Sequence, residues 1–180
     1  DAAGGADTAA SAGLPETSLA AAYFAREAAE LGSVSFFGGG PVVRSRMQRA
    51  FRTGAVYDGQ WLGNVRDGIG QQTWPDGAEY HGQWSQNTAS GSGRFCRSNG
   101  DSYIGQWRNN LAHGYGIYFH LDGTTYAGEF VNDLHEGFGV EGWPDKSKFI
   151  GKFVQGRKSG DGLYEWPDGS QYAGQWRQNM

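Results

Sequence analysis

From Tyr57 onward, ring-bearing and polar positions alternate in short bursts set a fixed distance apart. The first burst is Tyr57-Asp58-Gly59-Gln60-Trp61. Successive side chains of a strand point to opposite faces, so two rings and a glycine share one face while an acid and an amide share the other. The pattern returns at Tyr80, Tyr103, Tyr126, Phe149 and Tyr172, each 23 residues after the last. A fixed period of this length is the signature of a repeat architecture. Later in each unit come two closely spaced glycines: Gly68 and Gly70, Gly91 and Gly93, Gly114 and Gly116, Gly137 and Gly139, Gly160 and Gly162. A turn follows, "PDG" at Pro75, "SNG" at Ser98, "LDG" at Leu121, "PDK" at Pro144 and "PDG" at Pro167. Proline presets the first turn dihedral, and Asp or Asn accepts a local backbone hydrogen bond. Each turn therefore joins two antiparallel strands, one ending near Trp74 and the next running from about Glu79 to Trp84.

The ring-bearing face is expected to pack, with the glycine letting a ring from a neighbouring strand lie against backbone. The opposite face is expected to be polar, with Asp58, Glu129 and Lys152 in solvent. A lone hairpin is marginal in water, but a row of them sharing an aromatic spine forms a quasi-linear sheet. Some positions depart from the pattern. Lys146 replaces the turn glycine, which predicts a wider or strained turn after Pro144, and Asn87 and Thr88 open a polar "NTASGSG" linker. Phe51 and Gly54 precede Trp74 and Gly77 by one period, so "FRTGAVY" reads as a degenerate turn and return strand, with Val43 to Phe51 supplying the partner strand of a terminal cap.

Before the array the pattern changes. Asp1 to Gly13 is small and polar, a composition that predicts disorder. Ser18 is a helix cap, Leu19 to Leu31 has helix composition, and Gly32 can close the helix. Leu19, Tyr23 and Phe24 form its apolar stripe. So short a helix must dock, on the first hairpins or on a partner. Gly38 to Gly40 read as an elbow, and the adjacent Phe36 and Phe37 as an anchor for a partner's cleft. The triple glycine lacks the Lys and Ser/Thr of a phosphate-binding loop.

Composition narrows the function. The formal net charge is -4, which argues against a nucleic-acid partner. Arg44, Arg46, Arg49 and Arg52 cluster, either as a solubilising flank or as a contact for anionic lipid head groups or an acidic partner. The single cysteine, Cys96, allows no intrachain disulfide and no cysteine zinc cluster. No apolar run is long enough to span a membrane as a helix. His81, His113, His120 and His135 fall at different repeat positions and make no ligand set. Asp76, Asp122, Asp145 and Asp168 recur in turns, spaced by the repeat and not paired for acid–base work. The expectation is a chain with no catalysis, no metal and no cofactor.

The Tyr-x-Gly-x-Trp, Gly-x-Gly and Asp-Gly pattern resembles the MORN repeat (membrane occupation and recognition nexus). The resemblance implies an all-β, elongated, single-layer antiparallel sheet of hairpins, here with a short N-terminal helix and extended arm. It divides the chain into an arm over 1–43, with the helix at 19–31, and an array over 44–180: a degenerate cap over 44–56, five full repeats over 57–171 and a partial sixth over 172–180. Members occur in junctional membrane proteins, ciliary and radial-spoke proteins, cytoskeletal scaffolds, plant lipid-kinase regulatory regions and beside a lysine methyltransferase domain. The implied function is a protein-interaction scaffold, a structural subunit of a ciliary, cytoskeletal or organellar assembly. The alternatives are a peripheral module for anionic phospholipid and the targeting region of a larger enzyme. The partner contacts expected are Phe36 and Phe37 on the arm and the aromatic side around Trp107, Phe130 and Phe153. The expected location is intracellular, cytoskeletal or ciliary, or an organelle such as a plastid after removal of a transit segment.

Overall fold

The computed structural model describes residues 18–32 and 43–180. The expected disorder of 1–13, the Phe36–Phe37 anchor and the glycine elbow lie outside the described residues. Among the described residues twelve strands form one open sheet in which every strand pairs antiparallel with its sequence neighbours. They are β1 (Arg44–Ala50), β2 (Val56–Leu62), β3 (Val65–Thr73), β4 (Glu79–Ser85), β5 (Thr88–Cys96), β6 (Ser102–Arg108), β7 (Leu111–Phe119), β8 (Thr125–Val131), β9 (Leu134–Gly142), β10 (Lys148–Val154), β11 (Arg157–Glu165) and β12 (Gln171–Arg177).

Two turn types alternate along the sheet. At the first, Trp74 N donates to Ala78 O at 2.9 Å and Gly77 N to Trp74 O at 3.0 Å. The same turn recurs at Phe51, where Gly54 N donates to Phe51 O at 2.9 Å. Lys146 makes it too, donating to Trp143 O at 3.0 Å. Its turn is therefore no wider than the others, and the lysine is held at φ 75°, a left-handed conformation that L residues avoid.

The second turn has two residues, both with positive φ: Gln86 at 49° and Asn87 at 67°. Such mirror-image turns match the twist of a hairpin. The expected "NTASGSG" linker is thus no linker: Asn87 closes the turn and Thr88 begins β5. Asn87 also clips onto the preceding repeat, accepting Arg66 N on Oδ1 at 2.7 Å and donating to Arg66 O at 3.0 Å. Asn110 makes the same pair of bonds with Ala89, and Asp133 with Ala112. Successive repeats are therefore joined twice, by the sheet ladder and by these clips.

The ring face forms the core. Each leading ring folds back over the glycine of its own strand and that of the next. A Cβ at Gly105 would come within 2.6 Å of Gly116 Cα and overlap the Tyr103 ring. At Gly116 the covering ring comes from the neighbouring strand, as the alternation leads one to expect, but at Gly105 it comes from the glycine's own strand. The reason is that Tyr103 OH reaches Gln106 O at 2.9 Å, which pins the ring flat on the sheet. Tyr57, Tyr80 and Tyr126 make the same bond to the carbonyl three residues on. Each tyrosine then meets two neighbours edge-on: Tyr80 lies 5.1 Å from Trp84 and 5.3 Å from Trp107, and Tyr103 lies 5.1 Å from Trp107 and 5.0 Å from Phe130. Edge-to-face pairs suit the ring quadrupole. The indole N–H groups of Trp84 and Trp107 donate to the carbonyls of Gly70 and Gly93.

The opposite face differs from the expected uniform polarity. Over the first repeats the cross-strand row is Gln48, Asp58, Gln71, His81 and Arg94. From β6 onward the same row becomes Ile104, Ile117, Ala127, Val140, Ile150 and Leu163. Glutamine on this face supports the backbone. The Oε1 atoms of Gln60, Gln83 and Gln106 accept the amides of Ile69, Ser92 and Tyr115 at the bulge of each repeat.

The predicted helix over 19–31 is two pieces, α1 (Ser18–Ala25) and α2 (Ala28–Leu31), capped by Gly32 at φ 66°. Arg26 N bonds Tyr23 O at 3.2 Å, a tight turn that brings Glu27 to the sheet. The break is a tertiary feature: Glu27 is fully buried against the array.

Candidate binding face

The ring face carries a built docking site, and α1 already occupies it. Phe24 sits in a box of five rings at centroid distances of 5.2 Å to Tyr80, 5.5 Å to Trp84, 5.6 Å to Trp74, 5.9 Å to Trp107 and 6.0 Å to Phe95. Tyr23 flanks it, 5.1 Å from Trp74, with its hydroxyl on Asp76 Oδ2 at 2.5 Å. Arg26 stacks on Tyr23 at 4.1 Å.

A polar chain lies beside the box. The Glu27 carboxylate accepts Thr53 Oγ1 and Gln72 Nε2, both at 2.9 Å. Gln72 Oε1 in turn accepts Arg66 Nη1. Arg66 Nη2 donates to Asn87 O at 2.9 Å, and its guanidinium stacks on Trp84 at 4.3 Å. Burial pushes the Arg66 guanidinium down to about 10, with Glu27 opposing that shift, so it stays charged at neutral pH. The site thus holds a buried acid and a buried base bridged by an amide. Removing either leaves the other uncompensated.

The residues expected to touch a partner fall in different places. Trp107, Phe130 and Phe153 are buried in the core, and Trp107 lies beneath Phe24. Nearer solvent on the same face stand the half-buried rings Trp143, Tyr164 and Trp176. Arg44 pairs with Asp67 at 2.6 Å and Arg46 with Asp58 at 3.1 Å, while Arg49 reaches Glu30 O and stacks over Phe51 and Trp61. Arg52 is exposed and its backbone amide donates to Glu30 Oε1 at 2.7 Å.

The histidines are dispersed. His81 is exposed on the outer face, His120 lies against Tyr118, and His113 has a buried Nδ1 without a hydrogen-bond partner. His135 stacks flat on Tyr126 at 3.5 Å, where burial pushes its pKa down to about 3. Among the described residues no group of three or more His, Cys, Asp and Glu could hold a metal, and no helix is long and apolar enough to cross a membrane. Cys96 is a free, partly buried thiol with its pKa raised by burial.

Sequence reasoning missed Glu27, Gln72 and Arg66. A signal was present: Arg66 stands at the repeat position held by Ala89 and Ala112, and both alanines are fully buried. A cation at a buried alanine position requires a partner.

Fold and face together define a repeat protein: an open hairpin sheet with a continuous aromatic spine and one docked helix. The chain belongs to the MORN repeat family, whose model matches five consecutive repeats at 57–79, 80–102, 103–125, 126–148 and 149–171. No curated protein sequence matches the chain. Among solved structures, the wild-type TCP10 domain of Danio rerio CPAP is 18% identical, with 71% of each chain covered and a TM-score of 0.35. The CPAP G-box domain is 18% identical over 73% of this chain and 86% of its own, with a TM-score of 0.36. The Drosophila melanogaster SAS-4 TCP domain, solved with a proline-rich motif of Ana2, is 9% identical over 79% and 99%, with a TM-score of 0.33. At such identities and scores these likenesses assign no function to this chain.

Proposed function

We propose that the chain is a non-catalytic protein-interaction scaffold, a structural subunit of a larger assembly, which engages partner segments on its ring face. One observation carries this reading: the face already accepts a helix, and does so with a ring box around Phe24 and a polar chain reaching Glu27. Large rings with polar edges suit such recognition, and an amphipathic helix laid on an apolar surface is a recurrent binding mode. The scattered histidines and turn acids offer no pairing for acid–base or nucleophilic chemistry. The lipid alternative is weakened by the pairing of Arg44 with Asp67 and Arg46 with Asp58, which leaves less free charge for head groups.

The test is a photo-crosslinking amino acid at Tyr164 on the ring face and, separately, at Phe138 on the outer face, in the protein within its own cells. Discrete protein adducts from position 164 are expected. Adducts to lipid alone, matched by salt-sensitive binding to acidic vesicles, would overturn the reading.

A further inference from the structure

The box that holds Phe24 is made of repeat positions, so its counterparts follow from the period. One repeat on, Arg97 takes the place of Trp74. Two repeats on, His120 and Glu141 replace Trp74 and Phe95. Three repeats on, every place is again a ring: Trp143, Phe149, Phe153, Tyr164 and Trp176. Phe149 and Phe153 form the floor, both buried, with Phe149 4.9 Å from Trp176 and 5.4 Å from Phe153. Trp143 and Tyr164 stand as half-buried walls 5.6 Å apart. Asp145 repeats Asp76, the acid that receives the Tyr23 hydroxyl and lies beside Arg26.

Among the described residues no helix lies over this second box, since α1 meets the rings from Trp74 to Trp107 only. Residues 1–17 contain no aromatic ring. Residues 33–42 run between Gly32 and Val43, and Glu30 and Arg44 tie those ends to β1 and its turn. A ten-residue excursion that must return reaches about 18 Å at most, whereas eight strand spacings from β1 amount to about 38 Å.

We propose that the second box is the docking site for an aromatic-bearing amphipathic helix of another protein. This rests on the reading of the ring face as a partner surface and names the partner's chemistry. Charge sets the difference from α1. In the first site the neutral Gln72 links Glu27 to Arg66. In the second the Gln72 position is Glu141, already bonded to Lys158 at 2.7 Å, and Lys158 Nζ lies 4.7 Å from the Trp143 ring centroid. That ion pair is closed. A ligand acid at the Glu27 position would therefore bring in an uncompensated buried negative charge. The partner helix presents adjacent rings like Tyr23 and Phe24, a basic residue placed like Arg26 to meet Asp145, and a neutral residue in place of the acid. The same reasoning disfavours α1 of a second copy.

The test uses the full chain and two synthetic peptides with the sequence of residues 18–31, one native and one carrying Glu27→Gln. Binding is followed by NMR shifts of indole N–H groups. The Gln peptide is expected to bind saturably and at least about tenfold more tightly than the native peptide. A W143A/Y164A variant of the chain, altered at half-exposed walls, is expected to keep its sheet spectrum and lose that binding. Absence of saturable binding, equal or tighter binding of the native peptide, or binding that survives W143A/Y164A would each overturn the proposal. If crosslinking at position 164 still yields discrete protein adducts in that case, the scaffold reading stands and only the helix and its charge rule fall.

Discussion

At the residue scale, glycine is required where a tyrosine ring lies flat on backbone. Gly105 sits under Tyr103, and a Cβ there would be 2.6 Å from Gly116 Cα. We expect Gly105→Val to destabilise the chain by about 3 kcal/mol or more. Gln106→Val should cost about 0.5–1.5 kcal/mol, because the Gln106 side chain accepts the Tyr115 amide at the bulge. Urea denaturation of both variants checks the order. The face assignment of these two residues is readable from alternation; the service Gln106 performs is not, since a bulge has no mark in the sequence beyond Gly114. Lys146 offers the converse case. It pays for a left-handed conformation that glycine adopts freely, so Lys146→Gly should raise stability by about 1 kcal/mol in the same assay. His135 carries a pH dependence. Its folded pKa, about 3, lies below the ordinary value of 6.5. Below 6.5 the unfolded chain binds a proton that the folded chain refuses, so stability falls as pH drops from 6.5 towards 3. At pH 5 the loss from this group is of order 1–2 kcal/mol. The difference between denaturation midpoints at pH 7 and pH 5 should therefore be smaller in His135→Phe than in the native chain.

At the element scale, each strand is legible because sheet geometry repeats with the sequence, and the ring-glycine-ring bursts mark β2, β4, β6, β8, β10 and β12. The partner strands follow from the turns. The two-residue turns that close the other end of each repeat escape a reading by pattern, although Asn109–Asn110 and Asn132–Asp133 are residues that tolerate positive φ. The helix reads as one piece over 19–31, since composition reports propensity and cannot report that a buried Gln72 draws Glu27 out of line. The apolar row on the outer face is visible in principle: the residue after each leading ring runs Asp58, His81, Ile104, Ala127, Ile150 and Ala173, changing character midway. The docked helix also gives a test of its polar chain. Glu27→Ala leaves Arg66 buried without its acid, and should destabilise the chain by about 3 kcal/mol. Glu27→Gln, which keeps hydrogen bonds to Thr53 and Gln72 available, should cost less; thermal melts of the two separate charge from packing.

At the scale of the whole molecule, the sheet is a line of repeats, each packed only on its neighbours. Stability in such arrays is close to a sum of repeat and interface contributions. A helix that straddles the rings from Trp74 to Trp107 adds coupling between repeats that otherwise meet only in series. The central claim is that the ring face is a helix-docking surface in the free protein and not only the underside of a sheet. Hydrogen exchange on the isolated full chain tests this most directly, comparing the native protein with Phe24→Ala. We expect the amides from Ala20 to Leu31 to exchange at least about a hundredfold faster in the variant, with the central strands still protected. Equally fast exchange of those amides in the native chain would show that the helix is not held there, and would contradict the claim.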